Sequence, residues 1–138
     1  MKIRTFRETD TEGVVSLWDQ CSLTVPWNDP RKDIRRKLDV QPDLFIVCEE
    51  GTRIIGSLMG GYDGHRGWLY YLAVHPDWWQ QKIGTSLVKE IEGRITEYGC
   101  PKINLMVRTG NRKVLAFYRT LGYEVDEVVG LGKRIIPD

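Results

Sequence analysis

The sequence predicts an α/β fold, α+β in the stricter sense: a mixed, mainly antiparallel sheet of about seven strands with four helices on its faces. Two observations predict it. Short runs of alternating or β-branched residues and longer stripes at helical spacing follow one another along the whole chain, and glycine- or proline-containing turns separate them. No repeat, low-complexity tract or linker interrupts the order, and a chain of 138 residues with 41% hydrophobic content can bury one core. We therefore expect a single domain over residues 1–138.

The elements follow in order. Ile3 and Phe6 open in a short extended segment, and Thr9-Asp10-Thr11-Glu12 has the spacing of a helix capping box. A helix with Val14, Val15, Trp18 and Cys21 on one face should follow, ending before the prolines of Val25-Pro26-Trp27-Asn28-Asp29-Pro30. Asp29 then reads as an N-cap with Pro30 at the first helical position, and Ile34 and Leu38 give the second helix a modest apolar stripe. Leu44 to Cys48 and Ile54 to Met59 read as a hairpin around Glu50-Gly51-Thr52, and Trp68 to Val74 extends it into a meander. Ile83, Leu87, Ile91 and Ile95 mark one long amphipathic helix that stops near Gly99 and Pro101. Ile103, Leu105 and Val107 alternate as a strand, Asn111 to Leu121 reads as a helix, and Tyr123 to Val129 with Leu131 to Ile136 should close the sheet as a hairpin.

Composition narrows the function. A formal net charge of +1 gives no global field for DNA, RNA or an anionic membrane. No apolar run approaches the ~18 residues of a membrane span, and the opening residues alternate instead of forming a signal core, so a cytoplasmic protein is expected. Cys21, Cys48 and Cys100 are scattered without disulfide or zinc spacing, and His65 and His75 are too far apart to form a helical metal pair. No metal and no cysteine nucleophile are assigned. No Gly-x-Gly-x-x-Gly follows an early strand, which disfavours a dinucleotide-dependent oxidoreductase.

Two segments carry a resemblance. Leu72-Ala73-Val74-His75-Pro76-Asp77, then Ile83-Gly84-Thr85-Ser86-Leu87-Val88, is similar to the strand, pyrophosphate loop and helix of the GNAT N-acetyltransferase superfamily. Asn111 through Tyr123, with Phe117-Tyr118 and Gly122-Tyr123, resembles that family's Asn, Phe-Tyr and Gly-aromatic segment. Pro26 to Pro30 and Gly60 to Gly67 further resemble the bacterial YpeA subgroup. The resemblance covers essentially the whole chain. One departure stands out: where the family places Arg or Gln, two residues, Gly, one residue, then Gly or Ala, this chain has Trp79, Gln80, Gln81, Lys82, Ile83 and Gly84.

The resemblance implies acetyl transfer from acetyl-CoA to a primary amine of a small molecule, peptide or protein N-terminus, by direct attack in a ternary complex. Gln80, Gln81, Lys82, Ile83, Gly84 and Thr85 would hold the diphosphate at a helix start, where unpaired N–H groups and the helix dipole favour an anion. An ordinary strand-to-helix turn is the structural alternative. The backbones of Leu72, Ala73 and Val74 would pair with the pantetheine arm, with the Val74 N–H as oxyanion donor. Asn111 would contact the arm, cap its helix, or do both. Tyr118 would protonate the leaving thiolate, since a phenol of reference pKa ~10 stays protonated at neutral pH; otherwise it is a half-buried packing aromatic.

The stretch Asn104 to Val107 lacks the carboxylate that some relatives use as a base, and Tyr70, Tyr71, Asp63 and His65 are relay candidates. Acceptor selection is assigned to Trp27, Asn28, Asp29, Tyr62, Asp63 and His65. Arg31, Lys32, Arg35, Arg36 and Lys37 either attract an acidic acceptor or form a solvated helix face. The competing readings are an acyl-CoA sensor without catalysis and an interaction module using Trp78 and Trp79. Nucleic-acid and membrane partners are not expected, and a homodimer is compatible with the pattern.

Overall fold

The computed structural model describes residues 1–138. Residues Met1–Leu105 with Asp138 form one compact unit, and Met106–Pro137 form a second.

The first unit is built on a five-stranded sheet in sequence order: β1 (Lys2–Thr5), β2 (Phe45–Glu50), β3 (Arg53–Tyr62), β4 (Gly67–Val74) and β5 (Ile103–Leu105). β1 to β4 are antiparallel neighbours, while β5 runs parallel to β4. Parallel neighbours need a crossover, and α3 (Ile83–Glu97) supplies it.

Alternation along β3 sorts the two faces. Ser57 and Met59 face α1 (Thr11–Gln20) and α2 (Pro30–Leu38), whose Val14, Leu17, Trp18 and Ile34 join Phe6, Phe45 and Val47 in one buried cluster. Gly56 and Gly60 face α3, where Ile83, Leu87, Ile91 and Ile95 are all buried. A Cβ on Gly60 would lie 2.8 Å from Ile91 Cγ1 and one on Gly56 3.0 Å from Leu87 Cδ1. The helix can approach β3 because those positions carry no side chain.

Local sequence signals explain most element boundaries. Asp29 caps α2 by accepting the Arg31 and Lys32 N–H groups, with Pro30 in the first turn. The predicted capping box at the start of α1 does not form. Glu8–Asp10 make a 3-10 turn, and Asp10 is spent on a bidentate pair with Arg4 at 2.8 and 2.9 Å and on the Arg7 N–H at 2.8 Å. The box's own carboxylate, Glu12, pairs with Arg31 instead, and Asp10, not Thr9, stands at the α1 N-cap without a side-chain capping bond.

In the second unit, α4 (Arg112–Thr120) starts at Asn111, whose side chain accepts the Val114 N–H at 3.2 Å. It ends in a Schellman turn: Gly122, at φ +92°, donates to Arg119 O and Tyr123 donates to Tyr118 O. The Tyr118 and Tyr123 rings pack edge to face across that turn, with centroids 5.5 Å apart.

The sequence expectation of about seven strands is corrected here, because residues 123–136 join no ladder and the sheet has five strands. Val128, Val129, Leu131 and Ile135 are exposed. Alternation supplies two faces but no hydrogen-bonding partner, and a strand exists only where its backbone finds one. The mixed α/β class stands.

Candidate active site

β4 is paired on one side only for most of its length. β3 follows it throughout, but β5 pairs only with Gly67, Trp68 and Leu69. From Tyr70 to Val74 the other edge therefore has no strand beside it. The His75 N–H donates to Ile55 O at 2.8 Å, toward β3, so by alternation the Val74 N–H points to the open side. The Val74 carbonyl on that side is taken by Trp79 Nε1 at 2.6 Å and by the Cys21 thiol at 3.3 Å. Trp79 thereby ties the turn after β4 to the strand end.

A β-bulge sits in the middle of this open segment. Tyr71 and Leu72 oppose Leu58 alone, between the pairs Ser57↔Ala73 and Met59↔Tyr70. Tyr71 has φ +56°, which a bulky side chain adopts only when its surroundings hold it there. They do so on both ends. Its carbonyl accepts from Ser57 Oγ at 2.9 Å, which in turn accepts from Trp18 Nε1 at 2.8 Å, and its ring stacks on Trp18 at 3.7 Å. Its hydroxyl donates to Asp33 Oδ2 at 2.7 Å and accepts from Asn28 Nδ2 at 3.0 Å.

Beyond the 3-10 turn Pro76–Gln81, α3 opens at an N-cap with an unusual conformation. Lys82 has φ +57° and ψ +26°, and its side chain makes no capping bond. The first turn holds no acidic residue, so no carboxylate competes for its N–H groups. Gln80, Gln81 and Lys82 are exposed, Gly84 and Thr85 half-buried, and the Ile83 side chain lies in the core. Only the Ile83 backbone is available to a ligand.

A cavity of about 350 Å³ lies between α2 and the sheet, lined by Asp33, Arg36, Lys37, Val40, Met59, Tyr70 and Tyr71. Burial, followed by the hydrogen bond to Asp33, pushes the Tyr71 phenol well above its usual range, and burial raises Tyr70. Neither ring is a phenolate base at neutral pH. Burial also raises the Cys21 and Cys48 thiols, which keeps them protonated.

The Acetyltransferase (GNAT) family model matches residues 13–123. The chain belongs to the GNAT acetyltransferase family. It is 51% identical over 138 residues to an acetyltransferase of Pectobacterium atrosepticum, covering 100% of this chain and 98% of that protein. An acetyltransferase of Sodalis glossinidius is 52% identical over 139 residues, with the same coverage. In fold it is similar to Ard1 from Thermoplasma volcanium, with a TM-score of 0.79 at 23% identity, covering 91% of this chain and 83% of that one. Naa20 of Chaetomium thermophilum, solved with a bisubstrate analogue, gives a TM-score of 0.73 at 25% identity, covering 91% and 72%.

Against the GNAT pattern, the geometry explains the departure at Lys82. Lys82 stands where the family pattern has glycine, and its backbone is left-handed, a conformation glycine adopts without strain. Asn111 is a helix cap. Tyr118 is buried, and burial alone pushes its phenol far above the usual tyrosine value.

The residues assigned to acceptor selection separate. Asn28 reaches the Tyr71–Asp33 cluster, donating to Asp33 Oδ2 at 2.6 Å, and Asp29 is engaged as the α2 cap. Trp27 is exposed, and Tyr62, Asp63 and His65 belong to the β3–β4 turn; none of these four lines the cavity. Asp63 closes that turn by accepting the His65 and Arg66 N–H groups, both at 2.8 Å, which lowers its carboxyl and makes it a weak base.

Asp33 is the residue that sequence reasoning missed. The signal was present: Asp33 and Lys37 flank Ile34 and Leu38 at the i, i+4 spacing of the buried stripe.

Proposed function

We propose that this GNAT protein is an N-acetyltransferase that moves an acetyl group from acetyl-CoA to a primary amine of a small molecule, peptide or protein N-terminus, in a ternary complex. The observation that carries the reading is the open β4 edge from Tyr70 to Val74 leading into an uncapped, acid-free α3 N-terminus. An extended diamide arm suits the first, and a diphosphate suits the second. The Lys82 ammonium and the exposed Gln80 and Gln81 side chains add donors at that end.

In this reading, the acceptor nitrogen attacks the thioester carbonyl. The Val74 N–H faces the oxyanion, the C–S bond breaks, and the thiolate takes a proton while the attacking nitrogen gives one up to water, which restores the proton donor through solvent. We assign the thiolate proton to Tyr118, whose depressed acidity keeps it protonated, and the arm contact to Asn111. The Leu72, Ala73 and Val74 backbones hold the arm, and Gln80 to Thr85 hold the diphosphate. Trp27, Asn28, Asp29, Tyr62, Asp63 and His65 remain our acceptor-side assignment.

The family match across residues 13–123 supports treating the chain as one catalytic domain. Its three free cysteines suit a cytoplasmic setting. No helix is long and apolar enough to cross a membrane.

Calorimetry with acetyl-CoA, beside an assay for CoA thiol release over a panel of amines, tests the proposal. Binding with turnover is expected. Binding without thiol release from any amine would make the protein an acyl-CoA sensor, and no binding would overturn the reading.

A further inference from the structure

The basic residues of α2 are not equivalent. Arg31 pairs with Glu12 at the exposed surface, and Arg36, which also lines the cavity, is taken by Asp33 and Asp138. Lys37 is different: it is only 9% exposed, lines the cavity between α2 and the sheet, and its ammonium makes no ion pair or hydrogen bond with the protein while keeping contact with solvent. Its ammonium lies 3.7 Å from where a Cβ on Gly61 would stand, as does Gln41 Oε1, so it reaches toward β3. Burial lowers its pKa, opposed by the more distant Asp43 carboxylate. An ammonium that lines a cavity and has no carboxylate bonded to it leaves its donors open to an anion entering there.

Asp33 stands one turn earlier on the same face, at the spacing where Asp and Lys ordinarily meet. Instead its Oδ2 accepts from Tyr71 and Asn28 and its Oδ1 from Arg36. Of the roughly four acceptor positions on a carboxylate, three are used, leaving one on Oδ1. The cavity thus has the Asp33 carboxylate, already shared with Arg36, beside β4, and the Lys37 ammonium with no carboxylate bonded to it, with apolar Val40 and Met59 in its wall.

We infer that this cavity selects a small zwitterionic acceptor of the amino-acid class, its carboxylate held by Lys37 and its amine at the Asp33–Tyr71 end next to β4. The inference rests on the acetyl-transfer reading for what happens to the amine, but the recognition can be tested without it.

The probes are L-leucine, L-lysine and 4-aminobutyrate, each against its carboxamide, with thiol release from acetyl-CoA as the readout. For the best acceptor, the acid should show a KM at least ~10-fold below its amide, as expected for a hydrogen bond to a charged group. Lys37→Met, which keeps the buried stem, should raise the acid's KM by ~10- to 100-fold and collapse the acid-to-amide preference, and Lys37→Arg should restore part of it. Equal use of acids and amides by the wild type, or an equal loss on both in Lys37→Met, would overturn the assignment. Should no probe be acetylated, the same pairs titrated onto CoA-loaded protein decide it. Acid-selective binding that Lys37→Met abolishes supports the pocket while rejecting transfer, and its absence rejects the pocket.

Discussion

Lys82 occupies the one backbone position at the start of α3 that favours glycine, at φ +57°. A side chain in the left-handed region costs about 1–2 kcal/mol, and glycine returns about 0.5–1 kcal/mol of that through the unfolded chain. Lys82→Gly should therefore stabilise by up to about 1.5 kcal/mol, read as a rise in the denaturant midpoint. Lys82→Glu tests the charge separately: it should weaken CoA binding more at low salt than at high salt, whereas a salt-independent loss would point to a distorted turn. Tyr118→Phe keeps the ring that packs on Phe117 and Tyr123 and removes one hydroxyl. If thiolate departure limits turnover, single-turnover transfer should fall by ~100- to 10,000-fold with acetyl-CoA affinity nearly unchanged. An unaltered rate in a folded, cofactor-binding variant would remove Tyr118 from the chemistry.

At the level of elements, β3 and α3 are fitted through two missing side chains. Gly60→Ala forces a Cβ to 2.8 Å from Ile91, in a helix face with no exposure to yield into. Overpacking of this kind costs about 1–3 kcal/mol, measurable by chemical unfolding. The β4 bulge has its own support in Ser57, which joins Trp18 Nε1 to the Tyr71 carbonyl and is fully buried. The bulge was not legible in Trp68 to Val74, which reads as an uninterrupted strand, because the extra residue is defined only by the partner strand's register. The boundaries of α2 were legible, because Asp29 and Pro30 act through their own backbone neighbours.

Across the whole molecule, the charged cluster Arg4–Asp10–Glu49 joins β1, β2 and the turn before α1. Burial works against the Asp10 carboxylate, but the Arg4 and Arg7 hydrogen bonds outweigh it and hold its pKa below the ordinary value; Arg4 likewise lowers Glu49. Groups with depressed pKa stabilise the fold fully above their unfolded-state values. That contribution is lost as pH falls through the folded-state values, so stability should drop below pH ~4. Urea midpoints between pH 6 and 2 check this, and Arg4→Met should flatten the decline. Acetyl-CoA should raise the thermal midpoint with increasing concentration, since a ligand bound only by the folded state shifts the equilibrium by mass action. No shift at saturation would count against the proposed function at its first step.

Sequence by itself determined the mixed α/β class, the Asp29 and Asn111 caps, the long stripe of α3, and a family pattern that survives the loss of a loop glycine. These are local features, written in spacing and in residues that act on their own neighbours. The tertiary structure decided the rest. Residues 123–136 have strand-like alternation but no ladder, because pairing requires an edge that no single segment encodes. Lys37 reads as one positive charge among five on α2. Only packing of the helix on the sheet brings it to the cavity wall, apart from the carboxylates that take Arg36. Desolvation and counter-ion distance are properties of the folded arrangement, so a surface charge and a recognition charge look alike until the chain is folded.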